Sequence, residues 1–356
     1  MIKLPISVCI IAKNEEKYIE ECLKRLQPYG FEIVVTDTGS QDRTKEIAHQ
    51  YAARVLDYTW TDDFSAARNF CADHASNDWI IVLDCDEYVS DADLNTLGLF
   101  MEKVPDYTGV LRLKNLVNKE DGTQGYSVDD VIRMYDRRLY HYENPVHEQI
   151  CPIDTKRRNE QMKTFLVPME VIHHGYAISA EEMEKKQKRN LAILYQALDK
   201  NPEDAYLCFQ IGQSEFILHH YEKAVTYYER GMELAPPLDA PYMQIMIMSL
   251  ARAYIELDKR HEALELMNQY EKYYRTAKYT FTHASVYMDN AQPLKALLLY
   301  VKTTMLPDVD TLGEGLTNCY GNIIALYRDM GDEKMAALFR NKYEECLKEI
   351  DRVLNS

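Results

Sequence analysis

Two aspartates, Asp84 and Asp86, follow a run of five apolar residues that ends at Leu83, with only Cys85 between them. A short apolar run bounded by polar residues predicts a strand buried in a parallel sheet. Ligands of such sheets bind beyond the carboxyl ends of the strands, and alternation places the two aspartates on one side. Carboxylates at this place suit Mg²⁺ or Mn²⁺ completed by substrate phosphates and water. The alternative is a plain strand followed by an acidic turn.

A third aspartate, Asp37, leaves the predicted strand 31–36 at the same edge of the sheet. Its carboxylate could accept hydrogen bonds from a ribose or from a base N–H group. Gly39 and Ser40 permit a tight turn after it. However, strand-turn-helix junctions favour Asp and Ser without any ligand, so Asp37 alone does not define a site.

Two histidine motifs lie further along the chain. His147 and Glu148 are adjacent in a predicted loop, because Pro145 disfavours a helix there. Such a pair is a suitable place for a general base, whereas a zinc protease helix is excluded because the second histidine of its motif is missing. His173 and His174 end another predicted strand and are potential ligands of a divalent metal. Both pairs could equally be structural.

The elements that must position these residues alternate between strands and helices, which predicts a parallel sheet of βαβ units. Asn14 is expected to cap the first helix. A turn is expected at residues 121–122. The predicted strands are 6–12, 31–36, 54–56, 79–83, 109–113, 131–135 and 171–176, and the predicted helices are 14–28, 44–53, 66–72 and 92–104.

Length and composition limit the class of protein. A chain of 356 residues suggests two domains. The net charge of −16 argues against non-specific binding to nucleic acid or to an anionic bilayer. Eight cysteines without a CxxC pair are typical of reduced thiols, and no secretory signal or spanning apolar run is present, so we expect a cytoplasmic protein. No dinucleotide-binding, P-loop or serine-hydrolase motif occurs.

From about Ala180 the pattern is helical throughout. A small residue recurs twelve positions after an earlier small residue in three successive units, and a fourth, degenerate copy follows around Gly331. These offsets look like tetratricopeptide repeats of ~34 residues. We therefore predict a helical repeat domain over 181–356 after an α/β domain over 1–180. Its tyrosines would be mostly core, and some could line a peptide groove or a dimer interface. The small pairs are Gly212 and Ala224, Ala251 and Ala263, and Ala284 and Ala296.

The motifs of residues 4–180, taken in order, resemble a family-2 glycosyltransferase with the Rossmann-like GT-A fold. The resemblance is carried by the segments 7–15, 35–44, 68–70, 77–79, 83–87, 146–149 and 172–173. Their order and spacing are similar to those of lipooligosaccharide-core β-glucosyltransferases. The combination with helical repeats is also similar to peptide S-glycosyltransferases.

The resemblance implies a role for each matching residue. Asp37, Asn14, Arg68 and Asp84 would contact the nucleotide sugar, while Asp86, His173 and Asp84 would hold Mn²⁺ or Mg²⁺. Glu148, or the adjacent His147, would be the catalytic base. Many members of the family carry a second acid after Asp37, and Thr38 stands there in this chain. Uridine is therefore favoured as the donor base without being fixed.

The function implied is inverting, metal-dependent transfer of a sugar, favoured as a UDP-hexose, to a glycan or peptide acceptor, with a possible homodimer formed through the repeats. A non-catalytic repeat scaffold with a degenerate sugar-nucleotide domain is the main alternative. A sugar nucleotidyltransferase is less favoured, because the glycine-rich nucleotide loop of that class is missing.

Overall fold

A computed structural model describes residues 3–52, 54–118, 123–157, 162–175 and 180–355. The chain divides into two compact units, the first formed mainly by residues 1–177 and the second by residues 178–352. The turn predicted at residues 121–122 and the predicted helix end at residue 53 lie outside the described residues. None of the helices in the described ranges combines the length and the apolar character that crossing a bilayer requires.

The first unit is built on an eight-stranded mixed sheet in the order β3-β2-β1-β4-β7-β6-β10-β5, with β8 and β9 forming a separate pair. Strands β3, β2, β1 and β4 are parallel, as predicted, whereas β7 is antiparallel to both β4 and β6. The strands are β1 (Ile6–Ala12), β2 (Glu32–Asp37), β3 (Arg54–Asp57), β4 (Trp79–Leu83), β5 (Glu87–Ala92), β6 (Thr108–Asn118), β7 (Gln124–Asp136), β8 (Tyr140–Glu143), β9 (Gln149–Pro152) and β10 (Thr164–His173).

The described part of this unit contains four α-helices. Buried residues of the first two pack against the apolar face of the sheet. Ile19, Leu23 and Ile47 share one core cluster with Ile6 and Ile81. Burying a side chain of this size contributes about 1.5–3 kcal/mol. The helices are α1 (Ile19–Leu26), α2 (Thr44–Tyr51), α3 (Phe64–Asp73) and α4 (Leu94–Lys103).

The chain after β1 differs from the prediction. Helix α1 begins at Ile19, so the prediction that Asn14 caps it is wrong. Asn14 instead adopts a positive φ of 58°, and its side-chain oxygen accepts a hydrogen bond from Gln41 N at 2.8 Å. Asn14 thus connects the loop that follows β1 with the loop that follows β2. Its side chain makes this contact between loops and does not form the helix cap that the sequence had suggested.

The strand β5 was also missed, because residues 92–104 were predicted as a helix that directly follows the acidic segment. The segment Glu87–Ala92 is an edge strand antiparallel to β10, and α4 starts only after Asp93, whose side chain accepts hydrogen bonds from Asn95 N and Thr96 N. A strand paired at one edge, with little apolar content, carries a weak sequence signal. Its pairing places Glu87 opposite His173.

The second unit contains nine described helices, α5 (Ala180–Lys200), α6 (Ala205–Ile217), α7 (Tyr221–Glu233), α8 (Met243–Glu256), α9 (Arg260–Tyr270), α10 (Ala277–Asp289), α11 (Pro293–Thr303), α12 (Gly315–Asp329) and α13 (Glu333–Leu354). The predicted small residues are buried where paired helices meet: Ala224, Ala251, Ala263, Ala284 and Ala296 are all 0 % exposed.

A backbone feature marks the same repeat independently. The residue two positions before the second helix of each pair has a positive φ, at His219, Asp258, Ala291 and Gly331. A left-handed residue ends the first helix and turns the chain for the second. The predicted tetratricopeptide-like pattern, including its degenerate fourth copy, is confirmed by this recurrence.

Gly212→Ala should destabilise the repeat unit, because a Cβ there would lie 2.5 Å from Tyr228 Cε1 and 2.6 Å from Cδ1. We expect a loss of about 1–3 kcal/mol, as for other overpacked cores. Gly321→Ala is the matched control, since its Cβ would meet only Tyr343 Cε2 at 3.7 Å and alanine stabilises a helix interior by about 1 kcal/mol. Urea unfolding followed by far-UV circular dichroism measures both. Equal effects would contradict this packing.

His283 should make the repeat unit sensitive to acid. It is 1 % exposed, and burial lowers its pKa from 6.5 to about 4, helped by Lys302 and opposed by Glu271. Between pH 6.5 and 4, the unfolded chain therefore binds a proton at His283 that the folded chain does not bind. The contribution to the free energy of unfolding is complete above about pH 6.5, and it falls by up to about 3 kcal/mol as the pH drops toward 4. Urea midpoints at several pH values should show this slope, and His283→Gln should flatten it. A slope unchanged in the variant would contradict the assignment.

Candidate active site at the carboxyl edge of the sheet

Asp86 and His173 lie together at the carboxyl edge of the sheet. Asp86 follows β4, and His173 is the last residue of β10. The Oδ2 atom of Asp86 is 3.5 Å from Nε2 of His173, while Oδ1 of Asp86 has no hydrogen bond within the described ranges. Burial lowers the pKa of His173, but the neighbouring carboxylates, Asp86 first, outweigh this effect and raise the pKa overall.

The backbone of Gly175 lies close against this pair. A Cβ at this position would collide with Asp86 Oδ2 and would lie 2.6 Å from His173 Nε2. One carboxylate and one imidazole placed this close together fit a divalent cation that takes its other ligands from substrate phosphates and water. Among the described residues, no group of three or more His, Cys, Asp or Glu side chains is arranged so that it could hold a metal ion.

Asp84 has a different environment from Asp86. Its Oδ1 accepts a hydrogen bond from Arg68 Nη2 at 2.9 Å, and its Oδ2 accepts one from Arg133 Nη2 at 3.0 Å. Burial would raise the pKa of Asp84, but the charges of Arg68 and Arg133 prevail and hold it well below its usual range. Both carboxylate oxygens are thus engaged by guanidinium groups, which leaves Asp86 as the aspartate with an oxygen open to a cation.

Arg68 connects this edge to the loop that carries Glu148. It is 5 % exposed, and its Nε donates to Glu148 Oε1 at 2.6 Å. The loop is held by a second contact, since Phe64 N, at the start of α3, donates to Pro145 O at 2.9 Å. Glu148 Oε2 has no partner among the described residues. The structure therefore brings Glu148 beside Asp84.

Asp37 is placed where the sequence predicted it, at the end of β2 and 4 % exposed. Its Oδ1 accepts hydrogen bonds from Gly39 N and Ser40 N, both at 3.0 Å. Its Oδ2 is buried and has no hydrogen-bond partner in the described part of the chain. A buried carboxylate oxygen without a partner is costly, so this atom is suited to receive a ligand N–H or O–H group.

The remaining predicted residues are less closely tied to the site. Asn14 is exposed and orders the loop after β2, as described above. His147 precedes Glu148 with a positive φ of 51°, and its carbonyl accepts a hydrogen bond from Gln149 Nε2. Cys85 is 4 % exposed, and burial first, then the neighbouring acids, raise the pKa of its thiol well above 9. This higher pKa disfavours the thiolate that a nucleophilic cysteine requires.

Sequence reasoning gave no role to Arg133 or Glu87. Arg133 Nη2 also donates to Glu87 Oε1 at 3.2 Å, and Glu87 Oε2 accepts a hydrogen bond from Asp84 N at 2.9 Å. Glu87 is 1 % exposed, and burial raises its pKa against the opposing effect of Arg133. The available signal was an arginine inside an otherwise apolar predicted strand, since a buried charge requires a partner.

The fold and site agree with the comparison with known families. Residues 7–155 match the model of Glycosyl transferase family 2. The first unit is thus similar to a family-2 glycosyltransferase domain, and tetratricopeptide-like helical repeats follow it in the second unit.

Three curated relatives support this architecture. A TPR repeat-containing protein of Synechococcus elongatus is 30% identical over 212 residues, covering 58% of this chain and 51% of the relative. The SPbeta prophage-derived glycosyltransferase SunS of Bacillus subtilis is 28% identical over 237 residues, covering 64% of this chain and 53% of the relative. The lipopolysaccharide core biosynthesis glycosyltransferase LpsC of Rhizobium meliloti is 28% identical over 164 residues, covering 42% of this chain and 58% of the relative. The matches to the first two span about half of each relative's length.

Proposed function

We propose that this chain is an inverting, metal-dependent glycosyltransferase that uses a nucleoside-diphosphate sugar, with a UDP-hexose favoured. The observation that carries the proposal is the pair formed by Asp86 and His173, 3.5 Å apart, with the side-chain-free backbone of Gly175 close against it. Asp86 lies within the residues that match family-2 glycosyltransferases, and the pair lies at the sheet edge where ligands of parallel sheets bind.

The roles follow from where these atoms lie at the sheet edge. Asp86 Oδ1 and His173 Nε2 would hold Mn²⁺ or Mg²⁺, which when bound neutralises charge that develops on the leaving diphosphate. Asp37 Oδ2 would accept a hydrogen bond from the nucleotide. Arg68 and Arg133 hold the carboxylate of Asp84 between them. The solvent-exposed side of this carboxylate would face the ribose or the phosphates of the donor.

Glu148 is the base favoured by the geometry. Arg68 holds its Oε1 at 2.6 Å, which orients the carboxylate and leaves Oε2 to accept the proton of the attacking acceptor group. A single attack from the face opposite the leaving diphosphate inverts the anomeric centre.

A glycan acceptor is favoured over a peptide, supported by the lipopolysaccharide-core name of the LpsC relative. The helical repeats would bind the acceptor or a second copy of the chain. We place the reaction in the cytoplasm. The competing proposal, a repeat scaffold with an inactive sugar-nucleotide domain, predicts no donor turnover.

Incubation with a panel of nucleotide sugars and Mn²⁺, followed by measurement of released nucleoside diphosphate, tests this function without knowledge of the acceptor. We expect metal-dependent hydrolysis of one donor and its loss in Asp86→Asn, because the variant removes a negative ligand from the cation. Asp91→Asn, an exposed position on β5, is the matched control and should retain activity. No release and no nucleotide binding would favour the scaffold.

A further inference from the structure

Asn115 lies beside the proposed metal site without belonging to it. It is on β6 and directly opposite His173 in the register of β6 and β10. The residue is 2 % exposed. Its Oδ1 lies 2.8 Å from His173 Nδ1, and its Nδ2 donates to Asp129 Oδ2 at 2.8 Å. The carboxamide therefore links the imidazole of His173 to a carboxylate on β7.

These contacts define which nitrogen of His173 carries hydrogen. A carboxylate only accepts hydrogen bonds, so Asp129 must face the NH₂ group of Asn115. The oxygen of Asn115 then faces His173 Nδ1, and this atom must be the donor. In the neutral ring Nε2 is consequently the nitrogen that carries no hydrogen, and Nε2 is the atom directed at Asp86.

We propose that Asn115 is a positioning residue that fixes His173 in the Nδ1–H tautomer and aims its bare Nε2 at the metal site, with Asp129 orienting the carboxamide. This inference rests on the proposed function, because it concerns a ligand of the proposed cation. Partners that hold a metal-binding histidine typically change metal affinity by about 10–100-fold when they are removed. Asn115 would act on the site only through His173.

The test compares two leucine substitutions on the same strand. Asn115→Leu removes the acceptor for Nδ1–H while keeping a side chain of similar size. Asn118→Leu, at the exposed end of β6, is the matched control. The double variant Asn115→Asp, Asp129→Asn keeps an oxygen opposite Nδ1 and an amide donor between positions 115 and 129, so it serves as the conservative variant. Circular dichroism establishes that each variant is folded.

The first readout is NMR of the imidazole nitrogens in metal-free, ¹⁵N-histidine-labelled protein at a pH where the ring is neutral, with His173 assigned through His173→Gln. We expect the Nδ1–H form in the native chain and in Asn118→Leu, and a shift toward Nε2–H in Asn115→Leu. An Nε2–H form in the native chain, or an Nδ1–H form that persists in Asn115→Leu, overturns the proposal.

The second readout is Mn²⁺ affinity in the presence of UDP, measured by electron paramagnetic resonance. We expect about a 10-fold weaker affinity in Asn115→Leu, native affinity in the double variant Asn115→Asp, Asp129→Asn, and no change in Asn118→Leu. Unchanged affinity in Asn115→Leu overturns the positioning role. If the native chain binds no Mn²⁺ under these conditions, the metal-dependent function fails, while the tautomer measurement alone still decides whether Asn115 holds the ring.

Discussion

Gly175→Ala is expected to reduce metal-dependent donor turnover by about 100-fold while the first unit stays folded. The added Cβ would collide with Asp86 Oδ2 and lie 2.6 Å from His173 Nε2. Either the carboxylate or the imidazole must move, and a displacement of about 1 Å at reacting groups costs on the order of 100-fold in rate. Nucleoside diphosphate release with Mn²⁺ and the preferred donor measures this effect.

Gly98→Ala is the matched control in the same unit. Its Cβ would lie 3.1 Å from Leu4 Cδ2, the far end of a flexible side chain in a different part of the unit. We expect activity close to that of the native chain. Full activity in Gly175→Ala would show that the positions of Asp86 and His173 do not matter for turnover, and the proposed metal site would have to be abandoned.

Arg68→Met is expected to lower the stability of the first unit by about 3 kcal/mol. The guanidinium bridges Asp84 and Glu148 from a buried position, and removing one partner of a buried ion pair typically costs about 3–5 kcal/mol. We expect the lower end of this range, because the Asp84 side chain is 33% exposed and retains its ion pair with Arg133. Donor turnover should also fall, since Glu148 loses the contact that orients it.

The two tryptophans of the chain, Trp60 and Trp79, both lie in the first unit, so tryptophan fluorescence in urea reports on that unit alone. Arg43→Met is the control, because the Arg43 side chain is 67% exposed and pairs with the exposed Glu46, and surface pairs of this kind contribute little to stability. Arg68→Lys should be intermediate, since an ammonium group lacks the planar fork that spans two carboxylates. A native midpoint in Arg68→Met would contradict the bridging role.

Local patterns in the sequence were sufficient for much of this fold. The apolar run before Asp84 predicts β4, because burial on both faces of a sheet requires such a run. The repeated spacing of Gly212 and Ala224 predicts the helix pairs, because only small residues fit where those helices touch. Asp37 was placed at the correct edge, because the carboxyl ends of parallel strands share one side.

The parts that were missed depend on pairing between distant segments. Arg133, Asn115 and Gly175 reach the site through the register of β7, β6 and β10, and this register is set by the whole sheet. No spacing along the chain connects Asn115 to His173. Asn14 was misassigned for the same reason, since its partner Gln41 lies on another loop. The sequence therefore indicated Asp86 and His173, whereas the residues that contact them from other strands could be found only in the structure.

Anomalous diffraction from crystals grown with MnCl₂ and UDP tests the central claim most directly. The account predicts one manganese peak within bonding distance of Asp86 Oδ1 or Oδ2 and of His173 Nε2, in contact with the diphosphate and absent in Asp86→Asn. UDP bound at this edge without such a peak, or a peak coordinated by other residues, would contradict the assignment of Asp86 and His173 as the metal site.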